Sequence, residues 1–85
     1  MTQKFTVLYF AAAKDASKAE SDSFEWKEGI TSQVLTQLLL DRHPTISTVL
    51  KSSMFAVNME YMDQDSNWTV SPGDEVAIIP PVSGG

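Results

Sequence analysis

The sequence predicts an α+β fold, a small mixed sheet covered on one face by one main helix. Three observations carry that expectation. Short β-branched and aromatic stretches lie at both ends of the chain, at residues 4–10 (KFTVLYF) and 75–79 (EVAII). Between them the apolar period changes, and Ile30, Val34, Leu35, Leu38 and Leu39 fall on one helical stripe. A chain of 85 residues also has room for only one modest core.

The elements follow in order. Residues 4–10 are apolar on both faces, which predicts a central strand. Residues 11–13 extend that strand or begin a turn, and residues 14–22 (KDASKAESD) read as a polar loop without periodicity. Residues 23–27 alternate, with Phe24 and Trp26 on one side, and predict a half-buried second strand closed by Glu28 and Gly29. Thr31 or Ser32 is the expected helix N-cap. Pro44 ends that helix, because its ring disfavours α geometry at His43. Residues 45–52 predict a short second helix, with Ile46, Val49 and Leu50 on one side.

Residues 54–62 (MFAVNMEYM) return to period two and predict a strand with Phe55, Val57, Met59 and Tyr61 on one face. A polar loop at 63–67 precedes at most a short edge strand at 68–70. Ser71, Pro72, Gly73 and Asp74 fit a type II turn, in which proline presets φ and glycine accepts a positive one. Parallel pairing of the first and last strands in the middle of the sheet gives a β-grasp, with residues 1–79 as the domain and residues 80–85 as an extended tail.

Composition narrows the function. Cysteine is absent, which excludes disulfides, a thiolate nucleophile and a cysteine-held metal, and places the chain in a reducing cytoplasm. No apolar run is long enough to span a bilayer, so no membrane partner is expected. Six bases against eleven acids, a net charge of −5, argue against nucleic acid as a partner. All six bases lie in residues 1–51, whereas Glu60, Asp63, Asp65, Asp74 and Glu75 stand in 52–85 without one. That half suits either plain solubility or steering onto a basic partner.

The usual catalytic constellations are missing. His43 is the only histidine and reads as a solvated residue at a helix end, and no carboxylate pair is placed for acid–base work. Trp26 and Trp68 read as core or rim packing, and Met54, Met59 and Met62 as core filling ahead of the alternative, the lining of a partner surface. The run Pro80-Pro81-Val82-Ser83-Gly84-Gly85 stands apart. Two prolines make it stiff and extended, and at about 3.1 Å per residue it reaches roughly 19 Å from the sheet. Two glycines at its tip suit a backbone entering a narrow channel, with the Gly85 carboxylate as the reactive group. Adenylation would give that carboxylate a leaving group, and capture by sulfur would leave a thiocarboxylate.

FAAAKD near the start, the leucine-striped helix, FAVNMEYM and above all GDEVAIIPPVSGG resemble the small, sulfur-carrier subunit family of molybdopterin synthase over nearly the whole chain. The resemblance implies a ubiquitin-like β-grasp fold. It implies that Gly85 is adenylated by an E1-like adenylyltransferase that consumes ATP, with no cofactor or metal held by the chain itself, and is then thiocarboxylated. Nucleotide-binding and phosphoprotein character come with it. Sulfur would pass to cyclic pyranopterin monophosphate, building the molybdopterin dithiolene, in the active site of a large catalytic subunit. The two subunits would form a two-plus-two heterotetramer in the cytosol. Tyr61 and Ile79 match the family's apolar docking surface, and Pro80, Pro81, Val82, Ser83 and Gly84 match the segment that threads the partner. Tyr61 stands where family members often carry an aliphatic residue. Two other readings stay open: a diglycine carrier for thiamine synthesis, tRNA thiolation or protein conjugation, and a ubiquitin-like interaction module with a passive tail.

Overall fold

β1 (Lys4–Tyr9) and β5 (Glu75–Ile79) lie side by side and parallel in a computed structural model that describes residues 3–63 and 67–81. The turn before β5 starts this pairing. Gly73 takes φ 80°, Asp74 N–H donates to the Ser71 carbonyl at 3.1 Å, and Gly73 N–H donates to the Lys4 carbonyl at 2.8 Å. β2 (Ser21–Glu25) adds antiparallel to the other side of β1. β3 (Met54–Val57) adds antiparallel to β5, and β4 (Glu60–Tyr61) closes the order β2-β1-β5-β3-β4. The two strands expected in the middle flank each other near the centre of this sheet, as their two-sided hydrophobicity requires.

One face of the sheet is covered by helices. α2 (Ser32–Arg42) starts where Thr31 Oγ1 accepts from Val34 N–H at 3.2 Å, and a 3-10 turn at Pro44–Ile46 follows it. Leu35 and Leu39 are fully buried against Phe5, Val7, Val76 and Ile78. Truncating either leucine removes about 2–5 kcal/mol, which is much of what a domain this small has. α3 (Ser47–Ser52) is the expected short helix. Residues 68–70 contribute only an isolated bridge, Thr31 to Thr69, although Trp26 Nε1–H donates to the Val70 carbonyl at 2.7 Å and pins this segment down.

The structure corrects three expectations. The stretch read as a polar loop begins inside a helix, α1 (Ala11–Ser17). Three consecutive alanines favour it, Ala13 is buried, and Lys18 closes it in the left-handed conformation with its N–H on the Lys14 carbonyl. β2 accordingly begins at Ser21 and ends at Glu25, ahead of the residues 23–27 expected. Residues 54–62 form a hairpin rather than one strand. Asn58 and Met59 both have positive φ, at 51° and 71°, as a two-residue turn demands. Ala56 therefore pairs with Tyr61, so Tyr61 lies on the face opposite Phe55 and Val57.

Candidate functional site

The register of the sheet assembles an apolar row on the face that no helix covers. Leu8 pairs with Ala77, Ala77 with Ala56, and Ala56 with Tyr61, so one line of side chains crosses four strands. Met54 and Ile79 form the next pair along. The two alanines in the middle are small, and the larger residues around them rise higher. A groove of about 370 Å³ results, lined by Leu8, Phe10, Ala56, Tyr61, Ala77 and Ile79, with Met59 and Glu75 at its margin. Phe10, Met54, Met59 and Tyr61 are all exposed, Tyr61 at 63% and Met59 at 92%. Neighbouring exposed apolar side chains of this kind mark a protein-binding surface more often than bare solubility allows.

Of the residues singled out in the sequence, Tyr61 and Ile79 meet in this groove. Ile79 is the last residue of β5; Pro80 after it is buried and Pro81 is exposed. Val82, Ser83, Gly84 and Gly85 lie outside the described residues. Leu8, Phe10, Ala56 and Ala77 also line the groove, and the available signal was the two-sided hydrophobicity of both central strands. Met54 and Met59, expected in the core, belong to this exposed face instead, and Met62 is half-buried. Glu75 stands at the margin of the groove, and no basic side chain lines it.

A second cluster lies on the helical side. Asp22 Oδ2 accepts from the Tyr9 hydroxyl at 2.9 Å and lies 2.6 Å from His43 Nε2, while Oδ1 is 3.5 Å from Arg42 Nη1. An ionised carboxylate only accepts, so Nε2 carries the proton in this contact. The His43 ring meets the Tyr9 ring edge-on, with centroids 5.4 Å apart, and Arg42 lies over Phe24 at 4.4 Å. His43 is thus a half-buried strut between α2 and the sheet, not the solvated residue its sequence position suggested. Burial raises the Tyr9 pKa, and the bond to the Asp22 carboxylate raises it further. Burial also pushes the Asp22 carboxyl up, but the bonds from His43 and Tyr9, with the fields of His43 and Arg42, outweigh it and hold the group below its ordinary range. This cluster fastens the end of α2 to β2.

Among the described residues, no group of three or more His, Asp or Glu could hold a metal ion, and no helix is long and apolar enough to cross a membrane. The described part offers an exposed apolar groove and a strand that leads out beside it.

A model of the ThiS family matches residues 7–85. The chain is 38% identical over 79 residues to the molybdopterin synthase sulfur carrier subunit of Chlamydomonas reinhardtii, covering 93% of this chain and 95% of that one. It is 36% identical over 80 residues to the subunit of the same name in Homo sapiens, covering 93% and 91%. In fold it is similar to SAMP1 of Haloferax volcanii, with a TM-score of 0.81 at 22% identity over 96% of this chain and 99% of that one. The complex of subunits 1 and 2 of the Helicobacter pylori molybdopterin-converting factor contains a chain similar to it at a TM-score of 0.63 and 23% identity, covering 96% and 99%. The protein therefore has a ubiquitin-like β-grasp fold and belongs to the ThiS family, among the molybdopterin synthase sulfur carrier subunits.

Proposed function

We propose that the chain carries sulfur on its C-terminal glycine for the assembly of molybdopterin. The reading rests on one observation above the others: in a chain related over nearly its whole length to sulfur carriers, β5 both lines the apolar groove and leads into the proline pair. An E1-like enzyme transfers AMP from ATP to the Gly85 carboxylate, releasing pyrophosphate. Sulfur at the sulfide level then attacks the acyl carbon as hydrosulfide, expels AMP and leaves the thiocarboxylate. The activation costs ATP because a carboxylate has no leaving group of its own.

The groove around Tyr61 and Ile79 docks on a large catalytic subunit, and Pro80, Pro81, Val82, Ser83 and Gly84 deliver the thiocarboxylate of Gly85 into its active site. There the sulfur passes to cyclic pyranopterin monophosphate. The H. pylori complex of two subunits supports such a pairing, and two copies of each chain would make a cytosolic heterotetramer. Glu75 at the groove margin, with no basic side chain lining it, favours a partner with a basic rim. In this scheme the small subunit presents the sulfur and the large subunit provides the catalytic site.

Intact-mass measurement tests the chemistry. Co-expression with the activating enzyme and a sulfur source is expected to yield a chain heavier by the difference between sulfur and oxygen, localised to Gly85. A chain that retains only the free carboxylate under those conditions refutes the reading.

A further inference from the structure

Among the described residues four that are not glycine take a positive φ: Ala11 and Lys18 bound α1, and Asn58 and Met59 form a hairpin turn, where Met59 has the largest φ and a large exposed side chain. It is the second residue of the two-residue turn between β3 and β4, with φ 71°, a region that glycine enters freely and that a Cβ makes costly. Asn58, the first turn residue, belongs to a type that tolerates such a φ because its short amide bonds to nearby backbone. Here its amide reaches across to the start of β5 instead: Asn58 Oδ1 accepts from Glu75 N–H at 2.9 Å, and Nδ2 donates to the Asp74 side chain at Oδ1 at 2.9 Å. Asn58 N–H also donates to the Glu75 carbonyl at 2.8 Å. The hairpin tip is thus tied to the start of β5, and the strain at Met59 is held in place. Asn-Gly is the pair this turn prefers, yet a large apolar side chain stands in the glycine position with 92% of its surface exposed. It gains almost nothing from its own fold.

Strain that the surroundings maintain without local benefit points to a use elsewhere. Met59 borders the groove that Tyr61 and Ile79 line. We propose that Met59 is a specificity-determining anchor for the large subunit, its thioether side chain entering an apolar pocket of that partner next to the groove. The inference rests on the docking just proposed and adds the residue that selects the partner. A fixed backbone and an unbranched, polarisable side chain suit this role, because the backbone is ordered before binding while the side chain adapts to the pocket.

The test compares the full chain with Met59→Gly and Met59→Leu, measuring calorimetric Kd for the purified large subunit and Tm by circular dichroism. Met59→Gly relieves the strain and is expected to raise Tm by a few degrees, roughly 4 °C. The same substitution is expected to weaken docking by about tenfold or more. Met59→Leu, which keeps the apolar volume, is expected to stay within about threefold of the original Kd. A Met59→Gly chain that docks as tightly as the original overturns the proposal. Sedimentation showing a dimer of this chain that Met59→Gly dissolves also overturns it, since a second copy would then be the occupant. If the original chain docks and only the Met59 effect is missing, this inference fails alone; if the original chain does not dock at all, the proposed function fails with it.

Discussion

Asp22→Asn keeps the side-chain shape and removes the charge at the cluster that fastens α2 to the sheet. In the native molecule its carboxylate serves Tyr9 at 2.9 Å and His43 at 2.6 Å, with Arg42 at 3.5 Å. Hydrogen bonds to an ionised group contribute about 1.5–3 kcal/mol, against about 1 kcal/mol for neutral pairs. Both donors meet Oδ2, so an asparagine oxygen in that place still accepts from each, but as a neutral acceptor, and its amide N–H₂ faces Arg42. The Arg42 side chain is 45% exposed, and its pair contributes less than about 1 kcal/mol. The loss comes to about 2–3 kcal/mol at neutral pH, or roughly 10–20 °C in Tm for a domain of this size.

The pH dependence gives the sharper check. The folded Asp22 carboxyl titrates below its unfolded value of about 3.9, so its contribution is present above that pH and is lost as pH falls through the folded value. Tyr9 is shifted upward, so its contribution is complete below about pH 10 and declines as pH climbs beyond. Thermal melts of both chains at about pH 7 and about pH 3 are expected to show the gap between them shrinking in acid, because below about pH 3.9 the unfolded carboxyl takes up a proton more readily than the folded one and the charge contributes less to stability. A variant that melts within about 2 °C of the parent at neutral pH refutes the reasoning, and so does a gap that acid leaves unchanged.

Two further perturbations separate docking from chemistry. Ile79→Asp places a charge on the outer face of β5 and is expected to weaken calorimetric affinity for the large subunit by about a hundredfold, with little change in adenylation of Gly85 by the activating enzyme. Deleting Gly85 is expected to abolish sulfur transfer in a reconstituted synthase assay while Tm moves by less than about 2 °C, because the position lies beyond the last strand.

What the sequence revealed depends on where the physics is local. The parallel pairing of the two central strands was legible because Phe5, Val7, Val76 and Ile78 alternate with Leu8, Ala77 and Ile79, apolar residues on the other face. The Thr31 cap and the turn at Gly73 were legible because each is fixed by a side chain or backbone preference within a few residues. The hairpin at Asn58 and Met59 was not, since methionine gives no sign of positive φ and an unbroken alternation runs across the turn. That one misreading put Tyr61 with Phe55 and Val57, on the wrong face. α1 was hidden because its seven residues take their stability from burying Ala13 beneath neighbours remote in sequence. The Asp22 cluster unites residues 13 and 21 positions apart in the chain, a contact that no periodicity encodes. The groove was half legible, through Tyr61 and Ile79, whereas its floor of Ala56 and Ala77 needed the register.

In the proposed scheme the topology confines docking and delivery to few residues. A tail leaving an edge strand would hang at the margin of the molecule, free to swing away from any bound partner. Here it follows β5, which has β1 on one side and β3 on the other, and whose outer residues Ala77 and Ile79 line the groove. A partner seated on that face therefore meets the start of the tail within one strand of its own contacts. Few backbone dihedrals remain between the docked surface and the glycines, and their number is cut further by the two prolines. Ordering the remaining segment then costs less conformational entropy than ordering a flexible linker of the same length. Asp22, Tyr9 and His43 hold the helices on the opposite face, so the grooved outer face does not take part in the interactions that fasten them. That separation allows the outer face to carry exposed apolar groups, and the strain at Met59, without drawing on the core that folds the chain.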